Sequence, residues 1–147
     1  MKKIALFLSL NNKTKWIFIE AFFYLALGRI MKELPFKKVA PSFGRHMKES
    51  PFELEGVNVK KAKQVSQAIH IMSRYTFWES QCLVKAIAGM KMMKRRKIET
   101  TLYLGTAKDE EGKMIAHAWL RSGSIYITGY EEMKRFTVVG TFQNKAH

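Results

Sequence analysis

The chain holds a single cysteine, and its position is the first feature that could carry chemistry. Cys82 lies in the stretch FWESQCLVKAIAGMKMMKRR, residues 77–96, where apolar residues recur at helical spacing. Ser80 is a suitable N-cap, so a helix beginning there would hold Cys82 in its first turn. Unpaired backbone N–H groups and the helix dipole favour an anion there, and cysteines at such places are commonly reactive thiolates. The alternative is a small buried core residue.

A nucleophilic cysteine needs a base within hydrogen-bond reach, and a histidine usually supplies it. The chain has four histidines: His46, His70, His117 and His147. The first lies in a Pro/Gly-rich segment, the second beside an apolar helical stripe, and the last is the final residue. His117 differs because it lies in the strand-like segment IAHAW, on one face with Ile115 and Trp119. A helix packed on that face would bring its N-terminus near His117; the alternative is a purely structural histidine.

The first two thirds of the chain are predicted to be mainly helical. A strongly apolar helix spans residues 14–34 and ends before Pro35, which disfavours a helical conformation at Leu34. Residues 37–56 hold two prolines and two glycines, which is typical of a linker with little regular structure. Residues 57–96 form two helices interrupted by SRYTFWES, each with an apolar stripe at helical spacing.

From Glu99 onward the apolar pattern changes from helical to alternating. The segments TTLYLGTA, MIAHAWL, SIYIT and FTVVGTF are rich in β-branched and aromatic residues and are predicted strands. KDEEGK and RSGS are turn-like connections between consecutive strands. The order predicts an α+β fold in which N-terminal helices pack on one face of a C-terminal antiparallel meander.

The composition implies an anionic partner. The 147 residues carry a formal net charge of +14, much of it in the runs KKAKQ and KMMKRRK. One reading is a nucleic-acid-binding module with Tyr103, Tyr126 or Trp119 as stacking platforms; the other is a solvated helix face. A single cysteine fits a cytoplasmic location, and without a dense His/carboxylate cluster it argues against a structural zinc.

The N-terminal segment MKKIALFLSL resembles the opening of a secretory signal, but no A-x-A-like cleavage site follows it. A second apolar run, residues 16–27, is shorter than the roughly 20 residues that a membrane span requires. This helix is therefore predicted to lie on a membrane surface or against a partner protein.

The stretch WESQCLVKAIAGMKMMKRRKIETTLYLGTAKDEEGKMIAHAWL resembles the transglutaminase-like leader peptidases of lasso-peptide biosynthesis. More specifically, the chain is similar to the stand-alone protease of systems in which the B protein is split in two. RYTFWESQCL matches the nucleophile segment, although Phe77 stands where proline is common. HAWL matches the histidine segment, KRFT matches ERFT-type endings, and EAFFYLALGRIMKELPFKK is similar to the N-terminal helical part. The likeness covers most of the chain.

The resemblance implies a papain-like cysteine protease domain over residues 57–147, preceded by an N-terminal helix and linker over residues 1–56 for partner docking. Cys82 would be the nucleophile and His117 the base. Family members often carry an aspartate on the next strand, but that place falls here at Thr128 or Gly129. Glu131, just beyond, is the candidate orienting group. A backbone carbonyl, a plain dyad, or an exposed turn at Glu131 remain open alternatives.

The resemblance also implies substrate contacts and partners. Trp78 and Trp119 would contact the substrate, and Gln81 would donate to the oxyanion. The alternatives are that the two tryptophans are core or wall residues and that Gln81 is an exposed first-turn residue. The substrate would be a lasso-peptide precursor, presented by a leader-binding protein, and the freed core would pass to an ATP-dependent cyclase. No cofactor is expected. Acyl transfer by the same Cys–His pair and a non-catalytic scaffold are the rivals within this fold.

Overall fold

The computed structural model describes residues 8–9, 11–76 and 81–145, without the side chains of residues 36 and 132. The α-helices are α1 (Asn12–Glu33), α2 (Phe36–Val39), α3 (Gly56–Met72) and α4 (Cys82–Arg95). The strands are β1 (Arg45–His46), β2 (Thr100–Lys108), β3 (Met114–Ser122), β4 (Ile125–Thr128) and β5 (Thr137–Asn144). Two 3-10 helices, Ala40–Phe43 and Tyr130–Arg135, complete the described elements.

Helix α1 begins and ends where local chemistry dictates. The Asn11 side chain accepts a hydrogen bond from the backbone N–H of Thr14 and caps the N-terminus. At the other end Leu34, which precedes Pro35, has an extended backbone (φ −82°, ψ 155°). The predicted helix over residues 14–34 is thus confirmed to within two residues.

Three details of the predicted elements were wrong. The segment 37–56 is not an irregular linker, because it contains most of α2, a 3-10 helix and β1. Helix α4 begins at Cys82 with Gln81 as its N-cap, so Ser80, which lies outside the described residues, is not the cap. The RSGS segment is a turn only in its second half, because Arg121 and Ser122 are the last residues of β3.

The sheet has the order β1-β5-β2-β3-β4, and all neighbouring strands are antiparallel. The predicted meander is right for β2, β3 and β4 but wrong for β5. Gly129 has a left-handed backbone (φ 77°) and opens the 3-10 helix Tyr130–Arg135. That segment carries the chain back, so that β5 pairs with β2 in the register Leu102↔Phe142.

The helices pack on one face of this sheet. Glycines allow the closest approaches: a Cβ at Gly89 of α4 would lie 2.8 Å from Leu120 of β3, and one at Gly28 of α1 would lie 2.8 Å from the Val84 carbonyl oxygen. Helix α1 contributes Ala21, Leu25 and Met31 to the same hydrophobic core. The α+β class with helices on one side of an antiparallel sheet is therefore confirmed, whereas the domain boundary after residue 56 stays a prediction.

Among the described helices, none combines the length and the apolar character that crossing a bilayer requires.

Candidate functional site

Cys82 is the first residue of α4. The residue before it, Gln81, has an extended backbone (φ −80°, ψ −178°), and its carbonyl accepts the first helical hydrogen bond, from the Lys85 N–H. The cysteine is a free thiol, half-buried against the hydrophobic core. Cys82 therefore belongs to the first turn, whose backbone N–H groups have no partner within the helix and favour a nearby anion.

The neighbouring Gln81 is held by a residue that the sequence did not suggest. Lys32, near the end of α1, donates from Nζ to the Gln81 side-chain oxygen over 3.0 Å. This bond ties the C-terminal end of α1 to the start of α4 and brings a positive charge beside the cysteine helix. The oxyanion role of Gln81 stays a prediction.

His117 lies in β3, buried and directly opposite Gly105 of β2. Its Nε2 lies 3.0 Å from the backbone carbonyl oxygen of Gly129. A carbonyl oxygen only accepts hydrogen bonds, so Nε2 carries the proton in this pair. In the neutral imidazole the other nitrogen, Nδ1, is then the proton acceptor, which is the form that a general base needs.

Side chains alternate along β3, and this decides which way His117 points. Leu120 packs against α4 and belongs to the helix-side core together with Ala118. His117, Trp119 and Arg121 therefore face the other side of the sheet. Helix α4 covers the small and aliphatic side chains of β3 and not the face of His117 and Trp119, so its N-terminus does not reach His117 by packing on that face.

One contact relates the two elements that carry Cys82 and His117, that of Gly89 in α4 with Leu120 in β3. Seven residues of helix separate Cys82 from Gly89, or about 10 Å at 1.5 Å per residue. Three residues of strand separate His117 from Leu120, which Gly89 contacts, again about 10 Å. Among the described residues no hydrogen bond joins the two side chains. His117 lies in the part of β3 that β4 leaves unpaired, since β4 pairs only from Leu120 to Ser122.

An aromatic row follows the sheet face that carries His117. The row consists of Tyr103, Trp119, His117 and Phe136. Their ring centroids are separated by 5.5 Å (Tyr103–Trp119), 5.7 Å (Trp119–His117) and 5.0 Å (His117–Phe136), and each pair is stacked. Trp119 is therefore a neighbour of the imidazole, which agrees with a wall of the site, while its contact with substrate stays a prediction. Phe136 was not among the candidate residues.

One end of the aromatic row is fixed by a buried arginine. Arg121 is fully buried, and its guanidinium donates to acceptors on three parts of the chain. The acceptors are the Tyr103 hydroxyl, the Thr101 hydroxyl and the carbonyl oxygens of Ser50, Pro51 and Gly123. The Phe52 ring covers it, with the guanidinium carbon 3.7 Å from the ring centroid. Arg121 thus ties residues 50–52 to the sheet.

Tyr103 links this arginine to a carboxylate. Its hydroxyl donates to Glu49 over 2.7 Å and accepts from Arg121 over 3.0 Å. Burial, followed by the hydrogen bond to Glu49, raises the pKa of Tyr103 to about 12. The phenol consequently stays neutral throughout the range in which histidines and reactive thiols titrate.

Among the described residues, no acidic side chain hydrogen-bonds to His117. Glu131 lies exposed in the 3-10 helix Tyr130–Arg135, and among the described residues the hydrogen-bond partner of His117 is the Gly129 carbonyl. Thr128 is buried, and its hydroxyl meets no described hydrogen-bond partner. The role of Glu131 stays a prediction, and Trp78 lies outside the described residues. No cluster of three metal-ligating side chains occurs in the described ranges.

The family model of the transglutaminase-like superfamily matches residues 30–141, which is more than half of the chain and includes Cys82 and His117. The chain therefore belongs to the transglutaminase-like superfamily, whose members are commonly cysteine peptidases or acyltransferases. Searches of curated proteins and of solved structures gave no significant match.

Proposed function

We propose that this protein is a cysteine peptidase that removes the leader peptide from a lasso-peptide precursor, with Cys82 as nucleophile and His117 as base. The proposal rests on two observations: a free cysteine occupies the first position of a helix, and a strand histidine has its Nε2 engaged by a carbonyl, which leaves Nδ1 as the acceptor. Membership of the transglutaminase-like superfamily supports the same pair. The choice of a lasso precursor rests on the likeness of the WESQC, HAWL and KRFT segments.

The chemistry would proceed in two stages. Nδ1 of His117 accepts the thiol proton, and the thiolate of Cys82 attacks the carbonyl carbon at the leader–core junction. The carbonyl π electrons move to oxygen, and backbone N–H groups at the start of α4 stabilise that oxyanion. The C–N bond then breaks as the imidazolium protonates the leaving amine, which becomes the N-terminus of the core. Water, deprotonated by the same imidazole, cleaves the thioester and regenerates the thiol.

The geometry adds a requirement to this mechanism. His117 faces away from α4, the helix that begins with Cys82, so this mechanism requires the thiol and the imidazole to meet at the edge of β3 that β4 leaves unpaired. Hydrogen bonds between catalytic groups are often long in the absence of substrate and tighten when it binds. We therefore expect substrate to lie across this edge, between the start of α4 and the aromatic row.

The partner surface that we propose is a groove between α1 and α3. It encloses about 1750 Å³ and has apolar walls that include Trp16, Ile19 and Phe23. Trp16 and Phe23 are mostly exposed, at 69% and 65%. The lining also holds four cationic residues, Lys13, Arg74, Arg95 and Arg96, but a single carboxylate, Glu20, which Arg95 and Arg96 already bind. The groove thus suits an acidic amphipathic segment of the leader-binding protein.

Point variants test this docking surface better than removal of the N-terminus, because α1 also supplies core residues. Trp16→Glu and Phe23→Glu are expected to weaken capture of the purified leader-binding protein by more than tenfold. Ile30→Glu is the matched control, since Ile30 is similarly exposed on α1 but lies outside the groove. Equal binding by all three variants would exclude the groove.

Mass spectrometry of a candidate precursor incubated with this protein and its leader-binding partner tests the activity. Cleavage at one junction is expected for the wild type, and Cys82→Ala and His117→Ala should each lose it. Glu131→Gln is an informative third variant: unchanged cleavage would show that the Gly129 carbonyl suffices to orient the imidazole. Cleavage that survives Cys82→Ala would refute the peptidase mechanism.

Acyl transfer is the second candidate, because the superfamily includes acyltransferases as well as cysteine peptidases. The first stage would be the same, and an amine in place of water would attack the thioester. The same experiment with an added primary amine distinguishes the two, since acyl transfer would release the Cys82 thiol and form an amide adduct at the expense of the free acid.

A further inference from the structure

The imidazole of His117 is flanked by two aromatic rings. The ring of Trp119 is inclined by 26° to it and that of Phe136 by 28°, so both lie nearly parallel to the imidazole. Only one hydrogen bond, to the Gly129 carbonyl, fixes the imidazole among the described residues. A neutral carbonyl restricts rotation of the imidazole less strongly than a carboxylate does. The two flanking rings restrict this rotation further by contact.

The sheet makes room for these rings at one position. Gly105 lies directly opposite His117 in the register of β2 and β3. A Cβ on Gly105 would come within 2.9 Å of the Phe136 Cβ and of two carbons of the Trp119 ring. The two side chains therefore occupy the space above Gly105, and any side chain there would push them away from the imidazole.

A single short segment, residues 129–136, delivers two of the groups that hold His117. It begins with Gly129, whose left-handed backbone turns its carbonyl toward Nε2. It ends with Phe136, which terminates the 3-10 helix and has an extended backbone (φ −110°, ψ 141°). The Gly129 carbonyl fixes one nitrogen of the imidazole, and the Phe136 ring stacks on the imidazole.

We propose that Phe136, seated with Trp119 over Gly105, is a positioning residue for His117 that holds the imidazole in the orientation in which Nε2 donates to Gly129 and Nδ1 is left as the acceptor. The proposal rests on the proposed function, because it assigns a purpose to that orientation. In this arrangement contact with apolar rings, together with one neutral hydrogen bond, takes the part that an acidic residue plays in a triad.

The test uses the full chain and three variants. Phe136→Leu keeps an apolar side chain but removes the ring, and Phe136→Tyr restores a ring. Tyr130→Leu is the matched control, because Tyr130 belongs to the same segment and its described ring contact is with Tyr126. Each protein is labelled at its histidines, and nitrogen NMR reports which imidazole nitrogen of His117 carries the proton. Alkylation of Cys82 by iodoacetamide across neutral pH reports the reactivity of the thiol.

The wild type, Phe136→Tyr and Tyr130→Leu are expected to show one neutral form of His117, with the proton on Nε2. Phe136→Leu should show a mixture of both forms, and its Cys82 should be alkylated about tenfold more slowly at neutral pH. A change that follows from lost stability alone would not alter the NMR signature of the folded protein. An unchanged signature in Phe136→Leu would overturn the proposal.

A second variant applies if Phe136→Leu does not fold. Gly105→Ala pushes the same rings from below, and Gly140→Ala on the neighbouring β5 is its control, because a Cβ at Gly140 would meet nothing nearer than 3.5 Å. Gly105→Ala should reproduce the mixed signature, and a wild-type signature would overturn the proposal. If His117→Ala leaves the alkylation rate unchanged, the proposed function fails, whereas the NMR signature still decides whether Phe136 positions the ring.

Discussion

The two faces of the sheet are built by different chemistry. The face under the helices is made of aliphatic and aromatic core residues such as Leu102, Leu120, Ile127 and Phe142, which pack against α1, α3 and α4. The other face carries the aromatic row and Arg121, whose positions are set by hydrogen bonds and ring stacking. The same strands, β2 and β3, supply both.

The difference separates stability from positioning. On the helix face the side chains need only suitable size and apolar character, because burial is not directional. On the other face each group is stabilised only when its hydrogen-bond or stacking partner has the right distance and angle, since a buried polar group without its hydrogen bonds costs free energy. His117 lies on the directional face, whereas Cys82 lies at the start of α4, which packs on the other face. Four substitutions test this contrast.

The largest loss of stability is expected for Arg121→Met, which removes the donor for five buried or half-buried acceptors. We expect the free energy of unfolding to fall by about 4 kcal/mol. Urea denaturation measures it, with Arg45→Met on the exposed strand β1 as the control. A loss no greater than that of the control would mean that water replaces the guanidinium, and the directional character of this face would be refuted.

Leu120→Ala tests the helix face. The fully buried side chain contacts α4, so a cavity should lower the free energy of unfolding by about 3 kcal/mol. Leu120→Met conserves volume and should cost less than about 1.5 kcal/mol. If Leu120→Met were as damaging as Leu120→Ala, this face would be as specific as the other, and the contrast would not hold.

Gly129→Ala should lower the free energy of unfolding by about 2 kcal/mol, as measured by urea denaturation. Two effects contribute, and a control variant separates them. The backbone there is left-handed, and a Cβ would lie 2.6 Å from the Trp119 Cβ and 2.7 Å from the Ala118 carbonyl oxygen. Gly112→Ala has the same left-handed strain (φ 81°) without any neighbour within 4 Å, so about 1 kcal/mol is expected for it. Equal losses would show that the close approach at Gly129 is relieved without cost.

The smallest effect is a pH dependence. Because folding raises the pKa of Tyr103 from 10.0 to about 12, its contribution to stability is present below about pH 10 and is lost as the pH rises toward 12. The difference in unfolding free energy between the wild type and Tyr103→Phe should therefore shrink between pH 9 and 11. Denaturation at both pH values measures it, and a constant difference would contradict the buried phenol.

Much of the fold could be predicted from local patterns. Helical spacing predicted α1, α3 and α4, and alternation predicted four strands, because each pattern reflects the period at which side chains face a core. The composition of residues 37–56 wrongly predicted an irregular linker, since the short elements there depend on contacts with the rest of the fold. Arg121 was also misplaced, because an arginine followed by Ser-Gly-Ser is typical of a turn, and no local signal reveals a fully buried guanidinium.

The site could be predicted in its residue types but not in its arrangement. The position of Cys82 at a helix start follows from the sequence alone, as does the strand around His117. The Gly129 carbonyl has no side-chain signal at all, and Phe136 and Lys32 meet the site through contacts between segments distant in the chain.

By itself the sequence determined the elements and the chemical groups that each one carries, because propensity and periodicity act over a few neighbouring residues. Only the tertiary structure decided the return of β5 to β2, the face on which His117 lies and the groups that hold its imidazole. These depend on which surfaces exclude water together, and a difference of one residue in strand register places a side chain on the opposite face.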